Sequence, residues 1–343
     1  LFQMRDLIVL YLAYLLAAIE RARMADPVLS QATYIARRYA APAWRSGDSA
    51  GMHDAILKLF GEAEAFRAAA GRRMLSPEGV AMNTISDLLP KAMANARPLD
   101  MGLIFEAPAA AAYTSIGLAD SGSHMIVVDM GAGTTDIAAL ARLGNRTLEL
   151  PEARVTLKQA GDFVDNVIAN MVLDTAAWAR TPEQKADLWT VLMRQMRDIK
   201  EGVFADGKAT LRHQGRTLSL AMRDIERDAD FKEFAKALTQ AYDHSLAIVR
   251  DDAAARGRTE VQAIAVGGGA AAPFIQDLVR RKTGRGAVRV VPRPATPDWA
   301  HAREFQGNLA PVFPQRAIAI GGALAPDGML AAQPSFSRAA NDR

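Results

Sequence analysis

Val127-Val128-Asp129-Met130-Gly131-Ala132-Gly133-Thr134-Thr135-Asp136 is the stretch on which the reading of this chain turns. Apolar residues Met125 to Asp129 and Thr135 to Leu140 have β composition, and the small residues between them predict a hairpin with a glycine-rich tip. Without side chains in the way, backbone N–H groups at such a tip can approach an anion, and phosphate is the obvious one. Asp129 ends an apolar strand, where an unpaired carboxylate is awkward to bury. A Mg²⁺ ion held through water, or a water to be activated, suits it as a partner. Thr134 and Thr135 can add hydroxyl donors. The plainer alternative is a tight turn that needs glycine for positive φ, with Asp129 as its cap.

Three further stretches flank this one. Ala263-Ile264-Ala265-Val266-Gly267-Gly268-Gly269 reads as a strand running through glycines into a helix that restarts at Pro273. Such a turn offers N–H groups and the positive end of a helix dipole. Glu106 ends a strand, Met101 to Phe105, before an alanine-rich helix from Pro108 to Gly117. Ala317-Ile318-Ala319-Ile320-Gly321-Gly322-Ala323 lies in a predicted helix from Pro311 to Leu324, and its small residues suit close helix packing.

The remaining elements follow from spacing and punctuation. A first helix ends near Asp26-Pro27, and a strand over 32–39 is stopped by Pro42. A helix runs from Ser49 to Ala70 with Ile56, Leu57, Phe60 and Phe66 on one face. Ser76-Pro77 opens another helix. Residues 162–204 are helix-rich, 208–220 form a small antiparallel pair, and a long helix covers about 229–256. This mixture of strands and helices is α/β.

The 343 residues carry 41 Lys+Arg against 38 Asp+Glu, a balance that predicts no nucleic-acid partner. The basic stretch Arg280-Arg281-Lys282-Thr283-Gly284-Arg285 fits a helix C-terminus. The length favours about two domains. There is no cysteine, which excludes disulfides, thiolate metal sites and cysteine nucleophiles. The five histidines, at 53, 124, 213, 244 and 301, show no metal-ligand spacing, and no Walker Gly-Lys-Ser/Thr or Gly-x-Ser-x-Gly motif occurs. The apolar run from Leu7 to Ile19 is shorter than the roughly 18 residues that span a bilayer. It reads as a buried helix of a cytoplasmic protein with no membrane partner.

Taken in order, the Glu106 helix, the Asp-x-Gly-x-Gly-Thr-Thr-Asp hairpin, Val-Gly-Gly-Gly and Ala-Ile-Gly-Gly-Ala resemble the actin-like ATPase superfamily. The nearest resemblance is to the nucleotide-binding domain of the heat-shock protein 70 chaperones. Tyr39-Ala40-Ala41-Pro42-Ala43-Trp44 is similar to their Val-Pro-Ala-Tyr-Phe, and Gln159-Ala160-Gly161-Asp162-Phe163-Val164-Asp165-Asn166 to their Gly-Gly-Glu-Asp-Phe-Asp-Asn. The resemblance covers about residues 5–330 and implies a two-lobed, ribonuclease H-like fold that is N-terminally incomplete. The first lobe would be 1–120 completed by 305–330. The second would be 121–304, with a subdomain over about 165–230, and 331–343 would be a flexible tail.

The same resemblance implies ATP or ADP with Mg²⁺ between the lobes, hydrolysis by an activated water, and a client or regulatory protein as partner. Asp129 would hold the metal through water and share the catalytic work with Glu106. Gly131, Ala132, Gly133, Thr134 and Thr135 would bind phosphate. Gly161 would lie near the β-phosphate or ribose, and Lys200, Gly267, Gly268 and Gly269 would face the adenosine. The chain departs from the family in four places. No Asp-x-Gly-Thr-like hairpin or catalytic lysine precedes residue 30, Ala271 stands where the family has an adenine-stacking arginine, Glu201 replaces a basic residue, and no peptide-binding β domain follows residue 330. The missing first phosphate loop and Ala271 keep a non-hydrolysing nucleotide-dependent scaffold open; an actin-like filament former and a sugar kinase are further readings on the same fold, with no residue that specifically supports either.

Overall fold

The computed structural model describes residues 2–41, 49–112, 124–143, 146–281 and 288–324. They form two compact units, one within Leu1–Ile104 and one within Phe105–Ala331.

The first unit is mainly helical. Its α1 spans Met4–Ala25 and ends at Asp26, which turns extended ahead of Pro27. Helix α2 spans Ser49–Ala70 and α3 spans Met82–Asn95. Val9, Ala13 and Leu16 of α1 meet Ala63, Phe66 and Ala70 of α2 and Leu89 and Ala92 of α3 in one core. Gly61 is required on α2, because a side chain there would run into the Arg97 carbonyl oxygen. Glu62, buried on the same helix, is held by Arg5 through bonds of 2.6 and 2.8 Å. The Leu7–Ile19 run is helical as expected, but only one side of it is buried: Leu7, Ile8, Tyr11 and Tyr14 face solvent.

Strands β1 (Arg38–Ala41) and β2 (Gly102–Phe105) pair in this unit. Two expectations need correction here. Residues 32–37 are not strand, so β1 is shorter and later than predicted. No helix opens at Ser76-Pro77. Ser76 caps the end of a 3₁₀ turn, Gly71–Leu75, and Gly79 adopts φ +68°, which a right-handed helix cannot contain; α3 starts only after Ala81.

The second unit is built on a six-stranded sheet. Its strands are β3 (His124–Met130), β4 (Thr135–Leu143), β5 (Arg146–Glu149), β6 (Val155–Leu157), β9 (Glu260–Val266) and β10 (Arg289–Pro292). They lie in the order β10-β9-β3-β4-β5, with β6 also on β4. The three strands β3, β9 and β10 run parallel, and β4 is antiparallel to β3, β5 and β6. A separate hairpin joins β7 (Lys208–His213) to β8 (Arg216–Ala221).

Alternation along β3 divides the unit into two cores. Ile126, Val128 and Met130 face α5 (Gly161–Thr175), α6 (Pro182–Asp206), α8 (Ala229–Ala255) and α9 (Pro273–Arg280). Met125 and Val127 face α4 (Glu106–Ala112) and α10 (Phe313–Leu324). Helices on both faces explain why β3 and β9 are apolar at nearly every position. The short α7 (Met222–Ile225) follows β8. Helices α4 and α10 approach through Gly321, where a side chain would strike the Ala109 carbonyl oxygen. The expected α/β class and the hairpin are therefore as read, and α10 begins two residues later than predicted. The predicted helix beyond Ala112, Pro42-Ala43-Trp44, residues 282–285 and the 331–343 tail lie outside the described residues. Among the described residues no helix is long and apolar enough to cross a membrane.

Candidate functional site

Parallel pairing of β3 with β9 places Asp129 beside Val266, so the two glycine-rich turns leave the sheet at the same end. Gly267 has φ +84° and donates its N–H to the Pro314 carbonyl at 2.9 Å. The Asp129 carboxylate lies against the face of Gly267 where a side chain would project, so both its conformation and its surroundings demand glycine. Gly269 donates to the Met130 carbonyl at 2.9 Å, and any side chain there would meet Met130. Gly268 faces open space, and the Ala271 methyl is exposed. Two of the three glycines expected to offer free N–H groups thus use them inside the protein.

The hairpin tip has a different character. Gly131 closes it by donating to the Thr134 carbonyl at 3.0 Å. Neither Gly131 nor Gly133 adopts positive φ, and nothing lies within 4 Å of the place where a Gly133 side chain would begin. The conformational explanation for these glycines therefore fails, and free access to the backbone remains. Helix α5 starts against the tip: Gly161 N–H donates to Gly131 at 3.1 Å and Asp162 N–H to Ala132 at 2.8 Å. A side chain at Gly161 would crowd the Gly131 carbonyl and, 3.5 Å away, the Lys200 ammonium. Lys200 is drawn to Asp165 at 2.7 Å. The structure thus gathers Gly131, Ala132, Gly133, Thr134, Gly161 and Lys200. Thr135 is different, because its hydroxyl is buried and donates to the Gln159 carbonyl at 2.8 Å.

Three carboxyl groups stand close to one another at this end of the sheet. Burial, reinforced by Asp136, pushes Asp129 up to about 6. Burial, with Asp129 and Asp136 behind it, pushes Glu106 up to about 7. Asp136 sits directly opposite Asp129 across the hairpin, an arrangement of like charges that costs stability. Thr134 and Thr156 donate their hydroxyls to Asp136 at 2.8 and 2.6 Å and fix it there. The sequence assigns Asp136 no role, because its place depends on the β3–β4 register, which a hairpin with a four-residue tip sets.

Among the described residues no three side chains are close enough to chelate a metal directly. The carboxyl cluster fits a cation that keeps its own waters, as Mg²⁺ does, better than one stripped of them.

Residues 98–295 match the family described as "Hsp70 protein". Short stretches are also similar to two proteins named "Actin-like protein MamK". One, from Paramagnetospirillum magneticum, is 49% identical over 51 residues, covering 15% of this chain and 14% of the relative. The other, from Magnetospirillum gryphiswaldense, is 44% identical over 55 residues, 16% of this chain and 14% of the relative.

Proposed function

Because the chain belongs to the Hsp70 protein family, we propose that its second unit binds the phosphates of ATP or ADP at the Gly131–Thr134 tip and takes part in ATP hydrolysis. The observation that carries this is the unstrained, open glycine tip next to carboxyl groups whose pKa values are raised toward neutrality.

The tip offers backbone to phosphate oxygens, while the Thr134 hydroxyl stays on Asp136 and α5 and Gly161 keep the tip from sagging into the protein. Asp129, at about 6 with no cation beside it and lower once Mg²⁺ is bound, can take a proton from an attacking water. Glu106, at about 7, can hold or release a proton next to it. Asp129 and Asp136 would hold Mg²⁺ through its waters, and the bound ion would neutralise charge on the phosphates. Lys200 lies at the rim of the tip and would meet the anion once it swings from Asp165. Client or regulatory partners of a chaperone cycle belong to this same reading.

Calorimetric titration with Mg²⁺–ADP and single-turnover hydrolysis of ATP test it, each beside Asp129→Asn. We expect binding in the wild-type chain and a fall in hydrolysis of about 10²–10⁴-fold in the variant. Absence of ADP binding, or an unchanged rate in the variant, overturns the proposal. A non-hydrolysing nucleotide sensor is the second reading, favoured by the Lys200–Asp165 and Arg197–Glu201 pairs, which occupy both signs of charge on α6. Tight binding without turnover selects it.

A further inference from the structure

The first unit contains a cavity of about 1070 Å³, at the upper end of the range for ligand pockets. One side of it is apolar: Leu16 and Ile19 of α1, Phe60 of α2, Ile35 from the irregular segment before β1, and Leu99 and Met101 before β2. Ile19 and Tyr34 remain 52% and 77% exposed, so the apolar lining continues outward instead of ending under a polar rim. From Leu15 to Asp26 the α1 wall is about 17 Å long, enough to lie along an extended alkyl chain.

Several charged groups around this cavity are already paired. Arg23 grips Glu20 through bonds of 3.0 and 2.6 Å, and Arg67 grips Glu64 at 2.8 and 2.7 Å. Arg37 also lines the cavity and lies near both carboxylates, helping to hold each below its ordinary range behind the larger effects of Arg23 and Arg67. Its guanidinium makes no hydrogen bond or ion pair among the described residues. Arg37 is therefore the guanidinium of this group without a hydrogen-bonded carboxylate. Of the other charged lining residues, Asp26 is engaged by the Val28 and Leu29 N–H groups, and Arg38 and Asp100 contribute one charge of each sign.

We infer that this cavity takes a single-chain amphipathic carboxylate of the fatty-acid type, with the alkyl chain along the apolar wall and the carboxylate on Arg37. A guanidinium offers a carboxylate two parallel N–H donors, which makes Arg37 the natural anchor for the head group. The inference is independent of nucleotide binding by the second unit.

The test is calorimetric titration of the whole chain with octanoate, decanoate and dodecanoate, all below their micelle thresholds, each beside its methyl ester. Affinity should rise about fourfold for each methylene that is buried. The ester, and the acid with Arg37→Glu, should bind about tenfold more weakly than the acid with the wild type. Ile19→Ser should weaken all three acids and leave the preference for acid over ester intact. Arg37 and Ile19 are both exposed, and matching thermal melts would show that the variants fold. No binding, or equal binding of acid and ester, overturns the inference.

Discussion

The two units use apolar residues in opposite ways. In the second unit both faces of the sheet are covered by helices, and among the described residues Trp189 and Leu324 are its only large apolar side chains left exposed. In the first, Met4, Leu7, Ile8, Tyr11, Tyr14 and Ile19 form a stripe along α1 that faces solvent, although Val9, Ala13 and Leu16 on the other side are buried. Among the described residues its only sheet is the β1–β2 pair, which is marginal unless packed on something else. Burying a side chain of this size contributes about 1.5–3 kcal/mol, so the α1 stripe forgoes a substantial stabilisation. The contrast separates what the fold needs from what contacts need: the second unit satisfies its own hydrophobic pattern, and the first presents part of its pattern outward.

The most severe way to probe that contrast is to break each unit at its tightest backbone contact. Gly321→Val would drive a side chain into the Ala109 carbonyl, and Gly61→Val into that of Arg97. Backbone cannot yield as a flexible side chain can, so each change should cost about 3–5 kcal/mol. Hydrogen exchange read by mass spectrometry should show lost protection in β3, β9 and α4 for the first variant, and in α1, α2 and α3 for the second. Loss across both units in either variant would mean that they fold as one cooperative body.

A smaller effect concerns the carboxyl cluster of the second unit. The folded-state values of Glu106 and Asp129, about 7 and about 6, lie above their ordinary 4.5 and 3.8. Between those limits the folded chain binds more protons than the unfolded one, so stability contributed by these groups is full below about pH 4 and is lost as pH rises through 6 and 7. Glu106 is partly exposed, and after discounting for solvent the loss should be about 1–2 kcal/mol. Denaturant unfolding in EDTA at pH 4.5 and 7.5 measures it. Asp129→Asn should flatten the slope, because it removes one titrating group and one of the charges that raise Glu106. An unchanged slope in the variant would detach these two carboxyls from each other.

How much of this was legible beforehand follows the same division. The β3–β4 hairpin, β9 and α8 were readable because continuous apolar strands and glycine turns leave few alternatives. The start of α3 was not, because a serine–proline pair signals a helix only if the chain continues right-handed, and Gly79 does not. At the site, Asp129 and the tip glycines could be picked out by residue type, since open backbone beside a strand-end carboxylate has a chemical meaning in one dimension. The burial of Thr135 and the placement of Asp136 opposite Asp129 depend on strand register and on the Gln159 carbonyl, which is 24 residues further along the chain. The outward face of α1 was hidden for another reason. A run apolar on all sides shows that a helix is rich in apolar surface, without showing which side is covered.

The outward face of α1 is where the smallest effect makes the sharpest distinction between the two units. Tyr11 is 64% exposed and Tyr14 52%, and neither belongs to the α1–α2–α3 core. Replacing both with lysine should therefore change unfolding stability by no more than about 0.5 kcal/mol, since lysine is at least as good a helix former as tyrosine. The visible change should be in surface chemistry: binding of an apolar fluorescent dye should fall, and solubility at high protein concentration should rise. The same double substitution on a stripe that was covered in solution would behave otherwise, because two buried ammonium groups cost several kcal/mol or force the helix to reorient. A large loss of stability, or a chain that changes its sedimentation when the tyrosines are replaced, would show that the α1 stripe already has a partner and that the first unit is as self-satisfied as the second.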